Sequence, residues 1–217
     1  MPKQFKISSI MKNLMLIFLI AITFVSCKSE SEEESNVNIL ASKSTIDLNI
    51  EIPELSVYNL PSTWTTQNNK QIELKDLQGK VVVMVMIYTA CKAACPRLVA
   101  DMRNIERRVE KRDLKNVQFI MVSIDPETDT PERLKEFSKE NIMEDEHWMF
   151  LRGTPEDTRE FAAVLAVNYK KITPIDFSHS NIISVFDTRG VMVHQQEGLG
   201  VDNEETISAI NEQLRAL

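Results

Sequence analysis

The amino-acid sequence predicts an α/β fold with a mixed central sheet and helices on both of its faces. Two observations lead to this prediction. Apolar runs of strand length alternate with amphipathic helical patterns over residues 81–168, which is the order that builds parallel strands through helical crossovers. Residues 181–217 then hold a hairpin pattern and a final helix, so we expect an antiparallel end to a sheet that begins parallel.

The predicted elements follow one another with clear boundary signals. Residues 52–76 form a strand-rich lead-in with a hairpin turn at 67–70, and the apolar run Val81–Ile87 is the first core strand. The next elements are a helix at 95–112, a strand at 117–124 and a helix capped by Thr130. A strand at 148–151 and a helix capped by Thr154 follow them. The chain then forms a hairpin of 182–186 with 191–195 and a helix with an Asp202–Glu205 capping box. This order is that of a thioredoxin-like sandwich.

Composition fits one globular domain plus an appendage. The chain has 217 residues, of which 43% are hydrophobic and 26% are charged, and its formal net charge is -7. Residues 1–26 contain three lysines and no acid, so the remainder carries a net charge near -10. This acidity argues against a nucleic-acid partner. The three cysteines are too few for a disulfide scaffold.

The N-terminal residues predict export and lipid anchoring. Residues 1–26 are expected to be a signal peptide, because Lys12 precedes an apolar stretch that is too short to span a bilayer. The sequence Phe24–Cys27 resembles a bacterial lipobox, with phenylalanine where leucine is usual, so Cys27 is predicted to be lipidated. A plain secretory signal or anchor is the alternative, and Met1 and Met11 are the two candidate starts of translation.

The predicted lipid anchor, tether and folded domain together indicate a protein of the bacterial cell envelope. Residues 27–50 are polar and acidic and have too little apolar content to pack, so we expect a flexible acidic tether. Residues 51–217 are expected to form the folded domain. We expect this domain to lie outside the cytoplasm, attached through the lipid to the inner or the outer membrane.

Cys91 and Cys95 lie where the first core strand passes into a helix. The four-residue spacing puts both sulfurs on one helix face with Cα atoms about 6 Å apart, so the pair can form a disulfide or share a metal. The helix N-terminus and Lys92 predict lowered thiol pKa values. Buried structural cysteines are the alternative, but the carboxyl end of a buried strand is where α/β sheets place their sites.

Four motifs, in order along the chain, carry a resemblance to a known family. They are Tyr88–Pro96, Val122–Pro126 with Asp129–Glu132, Gly153–Glu156, and Phe177–Ser180 before a strand that ends in Asp187–Gly190. Together they closely resemble the Sco (SenC/PrrC) family from about residue 52 to the end. The resemblance implies a thioredoxin-like fold and a copper site formed by Cys91, Cys95 and His179.

The sequence departs from the family pattern beside both halves of this site. Lys92 and Ala93 stand where a proline and an aspartate are frequent, and Ser178 stands where an aspartate usually precedes the histidine. Each change removes a possible outer partner that would orient a ligand or tune its basicity. The departures therefore bear on copper affinity and redox potential, while the three ligands themselves are present.

The resemblance implies a copper metallochaperone rather than an enzyme with turnover. Its client would be the cytochrome c oxidase subunit that carries the CuA site, or another copper enzyme. Two thiolates suit Cu(I), and an added imidazole lets the same site hold Cu(II). The alternative is a thiol-disulfide oxidoreductase or redox sensor, in which Cys91 attacks, Cys95 resolves and the CuA cysteines are reduced. A peroxiredoxin-like peroxidase fits least.

Other potential copper ligands are predicted to be structural. His147 and His194 are expected to be satisfied or exposed side chains. The chain has ten methionines, but Met84, Met86 and Met102 lie at core positions and no Met-x-x-Met cluster occurs.

The lipobox resemblance predicts that the mature protein begins at a lipidated Cys27 and stays with membranes, since multiple acylation gives stable attachment. Cys27→Ala should block processing, which intact-mass analysis of membrane and soluble fractions will reveal. An unmodified cleavage product in the soluble fraction would contradict the prediction.

Overall fold

A computed structural model of the protein describes residues 52–92 and 94–217. The predicted signal peptide (1–26), Cys27 and the predicted tether (27–50) lie outside the described residues. Within the described part of the chain, no helix is both long enough and apolar enough to cross a membrane.

Three parallel strands form the centre of the sheet. They are β3 (Val81–Ile87), β4 (Val117–Ser123) and β5 (Trp148–Arg152), and β4 lies between the other two. Every residue of β3 and β4 is buried. Because successive side chains of a strand point to opposite faces, the sheet must be covered on both sides. The apolar runs in the sequence are therefore core strands, as predicted.

Antiparallel strands complete the sheet at both edges. On one side β8 (Ile182–Phe186) pairs with β3, and β9 (Met192–Glu197) pairs with β8. On the other side β1 (Thr63–Thr66) pairs with β5, and β2 (Gln71–Glu73) pairs with β1. The strand order β2-β1-β5-β4-β3-β8-β9 confirms the predicted mixed sheet.

Four α-helices in the described part of the chain pack on the sheet. They are α1 (Cys95–Arg108), α2 (Pro131–Glu140), α3 (Pro155–Val164) and α4 (Glu204–Arg215). The two predicted threonine caps are confirmed, since the hydroxyl of Thr130 accepts from the Arg133 N–H at 3.2 Å and that of Thr154 accepts from the Asp157 N–H at 3.1 Å. The fold is the thioredoxin-like α/β sandwich that the sequence predicts.

Two helix boundaries differ from the prediction. Helix α1 ends at Arg108 rather than near Arg112, because Val109 turns to an extended conformation in which its side chain is buried. The predicted capping box at the start of α4 is wrong. Asn203 is the N-cap residue there, and Asp202 instead accepts from the Glu204 N–H at 3.1 Å.

The prediction also missed a hairpin of β6 (Tyr169–Thr173) and β7 (Asp176–His179). All of its residues are exposed or half-buried, so the segment has no alternation of apolar and polar residues that would indicate a strand. The two strands pair with each other in a separate sheet. This hairpin carries His179.

The three methionines that the sequence assigned to the core are at most 1% exposed. Met84 and Met86 lie in β3 and Met102 lies in α1. They fill the interior, as predicted.

Candidate metal centre

The structure brings together the three residues that the sequence singled out. The sulfurs of Cys91 and Cys95 and a ring nitrogen of His179 all lie within 4.8 Å of one another. Cys91 lies in the turn after β3, Cys95 is the first residue of α1, and His179 is the last residue of β7. The two cysteines are not joined by a disulfide in this structure.

Hydrogen bonds link the described residues of the thiol loop, 88–92 and 94–95, to one another. The Cys91 N–H donates to the Tyr88 carbonyl at 3.3 Å, and the Cys95 thiol donates to the same carbonyl at 3.5 Å. The Cys95 N–H in turn donates to the Cys91 sulfur at 3.2 Å. The sulfur of Cys91 therefore accepts an N–H from the start of a helix, a donor that stabilises negative charge.

The two thiols differ in their surroundings. Cys91 is half-buried, whereas Cys95 is only 1% exposed. Burial raises the pKa of the Cys95 thiol well above its usual range because the thiolate loses its hydration. The sequence-based expectation of a lowered pKa is therefore wrong for Cys95. That expectation considered the helix N-terminus but not the apolar core into which this side chain packs.

His179 presents one ring nitrogen that the described residues leave unpaired. Its Nδ1 lies 3.0 Å from the Ser180 carbonyl, and since a carbonyl only accepts, Nδ1 must carry the hydrogen. In that tautomer Nε2 has the lone pair, and this atom is buried without a hydrogen-bond partner among the described residues. Burial also lowers the pKa of His179, which favours the neutral ring that binds metals.

The buried carboxylate of Asp129 holds the thiol loop in place through hydrogen bonds. Asp129 accepts hydrogen bonds from the Thr89 N–H at 3.2 Å, the Thr89 hydroxyl at 2.5 Å and the Ser123 hydroxyl at 2.6 Å. Burial raises the pKa of Asp129, and the bonds from Ser123 and Thr89 counteract this effect. In the sequence, Asp129 is recognisable only as part of a motif. Its place after a core strand was the signal for a role at the sheet edge.

A polar cleft of about 570 Å³ opens beside His179. Besides His179, the cleft is lined by Asn168, Tyr169, Lys170, Ser178, Ser180, Asn181, Glu197 and Gly198. The histidine half of the site therefore borders open solvent, while Cys95 faces the core.

The other two histidines have partners of their own. Nε2 of His147 lies 2.6 Å from Glu106 Oε1, an oxygen that also accepts from the Trp148 indole at 2.9 Å. Asp145 lies close enough to complete a second group of possible metal ligands, but the cleft there is also lined by three lysines. Nε2 of His194 lies 3.0 Å from the Thr206 hydroxyl. Both histidines are engaged in structural contacts.

Comparison with known proteins assigns the chain to a family. A model of the SCO1/SenC family matches residues 55–215. The SCO1 protein homolog of Bacillus subtilis is 32% identical over 103 residues, which cover 47% of this chain and 53% of that protein. The chain thus spans about half the length of this relative.

Solved structures of the family share the fold. A SCO1/SenC family lipoprotein from Bacillus anthracis is 27% identical, with a TM-score of 0.65, and the match covers 72% of this chain and 95% of that chain. ScoI of Bradyrhizobium japonicum with copper bound is 27% identical, with a TM-score of 0.61 and coverage of 71% and 98%. BsSco, described with a disulfide switch and as a member of the Sco family of cytochrome c oxidase assembly proteins, is 26% identical, with a TM-score of 0.64 and coverage of 75% and 97%. With the family match across most of its length, this chain belongs to the SCO1/SenC family.

Proposed function

We propose that this protein binds copper through Cys91, Cys95 and His179 and passes it to another protein. The observation that carries the proposal is the convergence of two sulfurs and an imidazole nitrogen within 4.8 Å. The buried Nε2 of His179, which has no partner among the described residues, adds to it. A buried polar atom without a hydrogen bond is costly, and a bound metal would satisfy it. The copper bound to the Bradyrhizobium japonicum relative supports the same choice of metal.

The donor set suits copper in both oxidation states. Two thiolates are soft ligands for Cu(I), and the imidazole makes the site acceptable to Cu(II). Structural zinc sites usually have four protein ligands, whereas this group has three within the described part of the chain. A three-ligand site also leaves room for a donor from the recipient, which is what transfer of copper as cargo requires.

The proposed recipient is the cytochrome c oxidase subunit that carries CuA, or another copper enzyme. The description of BsSco as a cytochrome c oxidase assembly protein supports this choice. We also propose that Cys27 is lipidated and holds the domain at a membrane outside the cytoplasm. The Bacillus anthracis relative, described as a lipoprotein, supports the anchoring.

Replacing His179 by alanine should weaken Cu(II) binding far more than Cu(I) binding. The two thiolates that remain can still hold Cu(I), but Cu(II) loses its nitrogen donor. We expect the loss for Cu(II) to exceed the ~10–100-fold that follows loss of an outer-shell partner. Competition titrations for each oxidation state, together with CuA occupancy in cells, measure the effect.

His194→Ala is the matched control, because this half-buried histidine lies outside the proposed ligand group. It should bind both copper states as the wild type does. Normal Cu(II) affinity and normal CuA occupancy in His179→Ala would defeat the chaperone proposal and favour thiol exchange.

The unequal exposure of the two thiols favours a second candidate function, disulfide reduction. The Cys91 thiolate would attack a substrate disulfide and form a mixed disulfide, and the Cys95 thiolate would then displace the second substrate sulfur. The substrate gains two thiols, and the protein ends with a Cys91–Cys95 disulfide. The disulfide switch described for BsSco supports this candidate.

The difference in exposure between Cys91 and Cys95 also predicts the order in which the two thiols are alkylated. In the reduced, metal-free protein iodoacetamide should modify Cys91 before Cys95, because Cys95 is buried and its pKa is raised. The rate at Cys95 should keep rising as the pH is raised through the alkaline range. Peptide mass spectrometry distinguishes the two sites, and faster modification of Cys95 at neutral pH would contradict the assignment of Cys91 as the attacking thiol.

A further inference from the structure

The hairpin that carries His179 lies outside the seven-stranded sheet. Strands β6 and β7 hydrogen-bond to each other in a sheet of their own. Their side chains are exposed or half-buried, and the apolar contacts of the two strands with the core are made by the half-buried rings of Tyr169 and Phe177. The position of His179 relative to the two thiols must therefore depend on a small number of specific contacts.

Tyr88 supplies contacts to both halves of the site. Its hydroxyl donates to Oδ1 of Asp176 and accepts from the Phe177 N–H at 3.3 Å. Its ring centre lies 5.1 Å from that of Phe177 and 5.8 Å from that of His179, which it meets edge to face. Its carbonyl is the oxygen that accepts from Cys91 and Cys95 in the thiol loop. One residue thus contacts the hairpin and both cysteines.

We propose that Tyr88 is a positioning residue whose hydroxyl, bonded to Asp176 and Phe177, fixes the His179 hairpin against the thiol loop. It thereby sets how well the three donors hold Cu(II). This inference rests on the proposed copper function and adds to it a residue that contacts the ligands without being one.

The hydroxyl is suited to this role because it is a buried donor to a charged acceptor. Tyr88 is only 2% exposed, and hydrogen bonds to carboxylates are stronger than those between neutral groups.

Other contacts hold the base of the hairpin and would remain if the hydroxyl were removed. The Ser180 N–H donates to the Asn168 carbonyl at 2.8 Å, and Nζ of Lys171 lies 3.6 Å from Glu127 Oε2. Loss of the Tyr88 hydroxyl should therefore loosen the Asp176–Phe177 part of β7, and through it the position of His179 two residues further along the same strand, while the fold persists.

Tyr88→Phe tests the hydroxyl alone, because the ring and its aromatic contacts are kept. We expect Cu(II) affinity to fall by about tenfold or more, on the scale of outer-shell partners of metal ligands, with a changed Cu(II) spectrum. Cu(I) affinity should change less, since both thiolates remain. In the metal-free variant, amide hydrogen exchange at residues 176–180 should be faster than in the wild type.

Substitution of Asp176 tests the same hydrogen bond from the side of its acceptor. Asp176 is exposed, so its replacement leaves the core intact. Asp176→Ala should reproduce the effect of Tyr88→Phe, and Asp176→Asn, which keeps an oxygen acceptor, should retain most of the Cu(II) affinity. The double variant Tyr88→Phe/Asp176→Ala should lose less Cu(II) affinity than the sum of the two single losses, because the bond between Tyr88 and Asp176 is removed in both single variants. Tyr169→Phe, whose ring lies 6.4 Å from Phe177 on the same hairpin, is the matched control and should behave as the wild type.

Unchanged Cu(II) affinity, or unchanged hydrogen exchange of the hairpin, in both Tyr88→Phe and Asp176→Ala would overturn the inference. Measuring His179→Ala in the same experiment separates failure of the positioning role from failure of the proposed copper site. If His179→Ala weakens Cu(II) binding and the Tyr88 variant does not, only the positioning role fails. If His179→Ala has no effect, the proposed copper site fails and the inference fails with it.

Discussion

The antiparallel pairing of β8 with β3 is the constraint on which the site depends. Strand β3 is buried along its whole length, and its carboxyl end leads directly into the thiol loop. Because β8 runs the opposite way, with Ile183 opposite Val85, the start of β8 lies beside that end. His179 precedes β8 by only a few residues, so the sheet itself brings the histidine near the cysteines.

The parallel neighbour of β3 supplies the support for the same loop. Strand β4 ends level with β3, with Ser123 opposite Ile87, and Asp129 follows it. The carboxylate of Asp129 then accepts from Thr89 in the thiol loop. A buried carboxylate is costly unless it is hydrogen-bonded, so these bonds and the position of the loop depend on each other. Copper chemistry in this family member would thus rest on two strand ends and one flanking hairpin.

The sequence predicted the parts of this arrangement that have strong local signals. The core strands and the threonine-capped helices were identifiable because burial and capping leave periodic or positional patterns. Cys91, Cys95 and His179 were identifiable through motif resemblance, and the structure places them together. That they bind copper stays a prediction, as does the lipid on Cys27.

The features that the sequence did not predict depend on tertiary contacts. The β6–β7 hairpin lacks the alternation of apolar and polar residues by which a strand is recognised in a sequence. The raised pKa of Cys95 comes from the core that closes over it, which outweighs the helix N-terminus. The bond between Tyr88 and Asp176 joins residues that are far apart along the chain. None of these follows from spacing or composition.

X-ray absorption at the copper edge of Cu(II)-loaded protein tests the central claim most directly. The Cys27→Ala protein, purified in detergent because its leader is expected to stay uncleaved, is the suitable sample, since its only sulfhydryl groups are those of Cys91 and Cys95. The account predicts two sulfur neighbours and one imidazole nitrogen around the copper. A copper environment with no sulfur, or with two sulfurs and no imidazole, would contradict it.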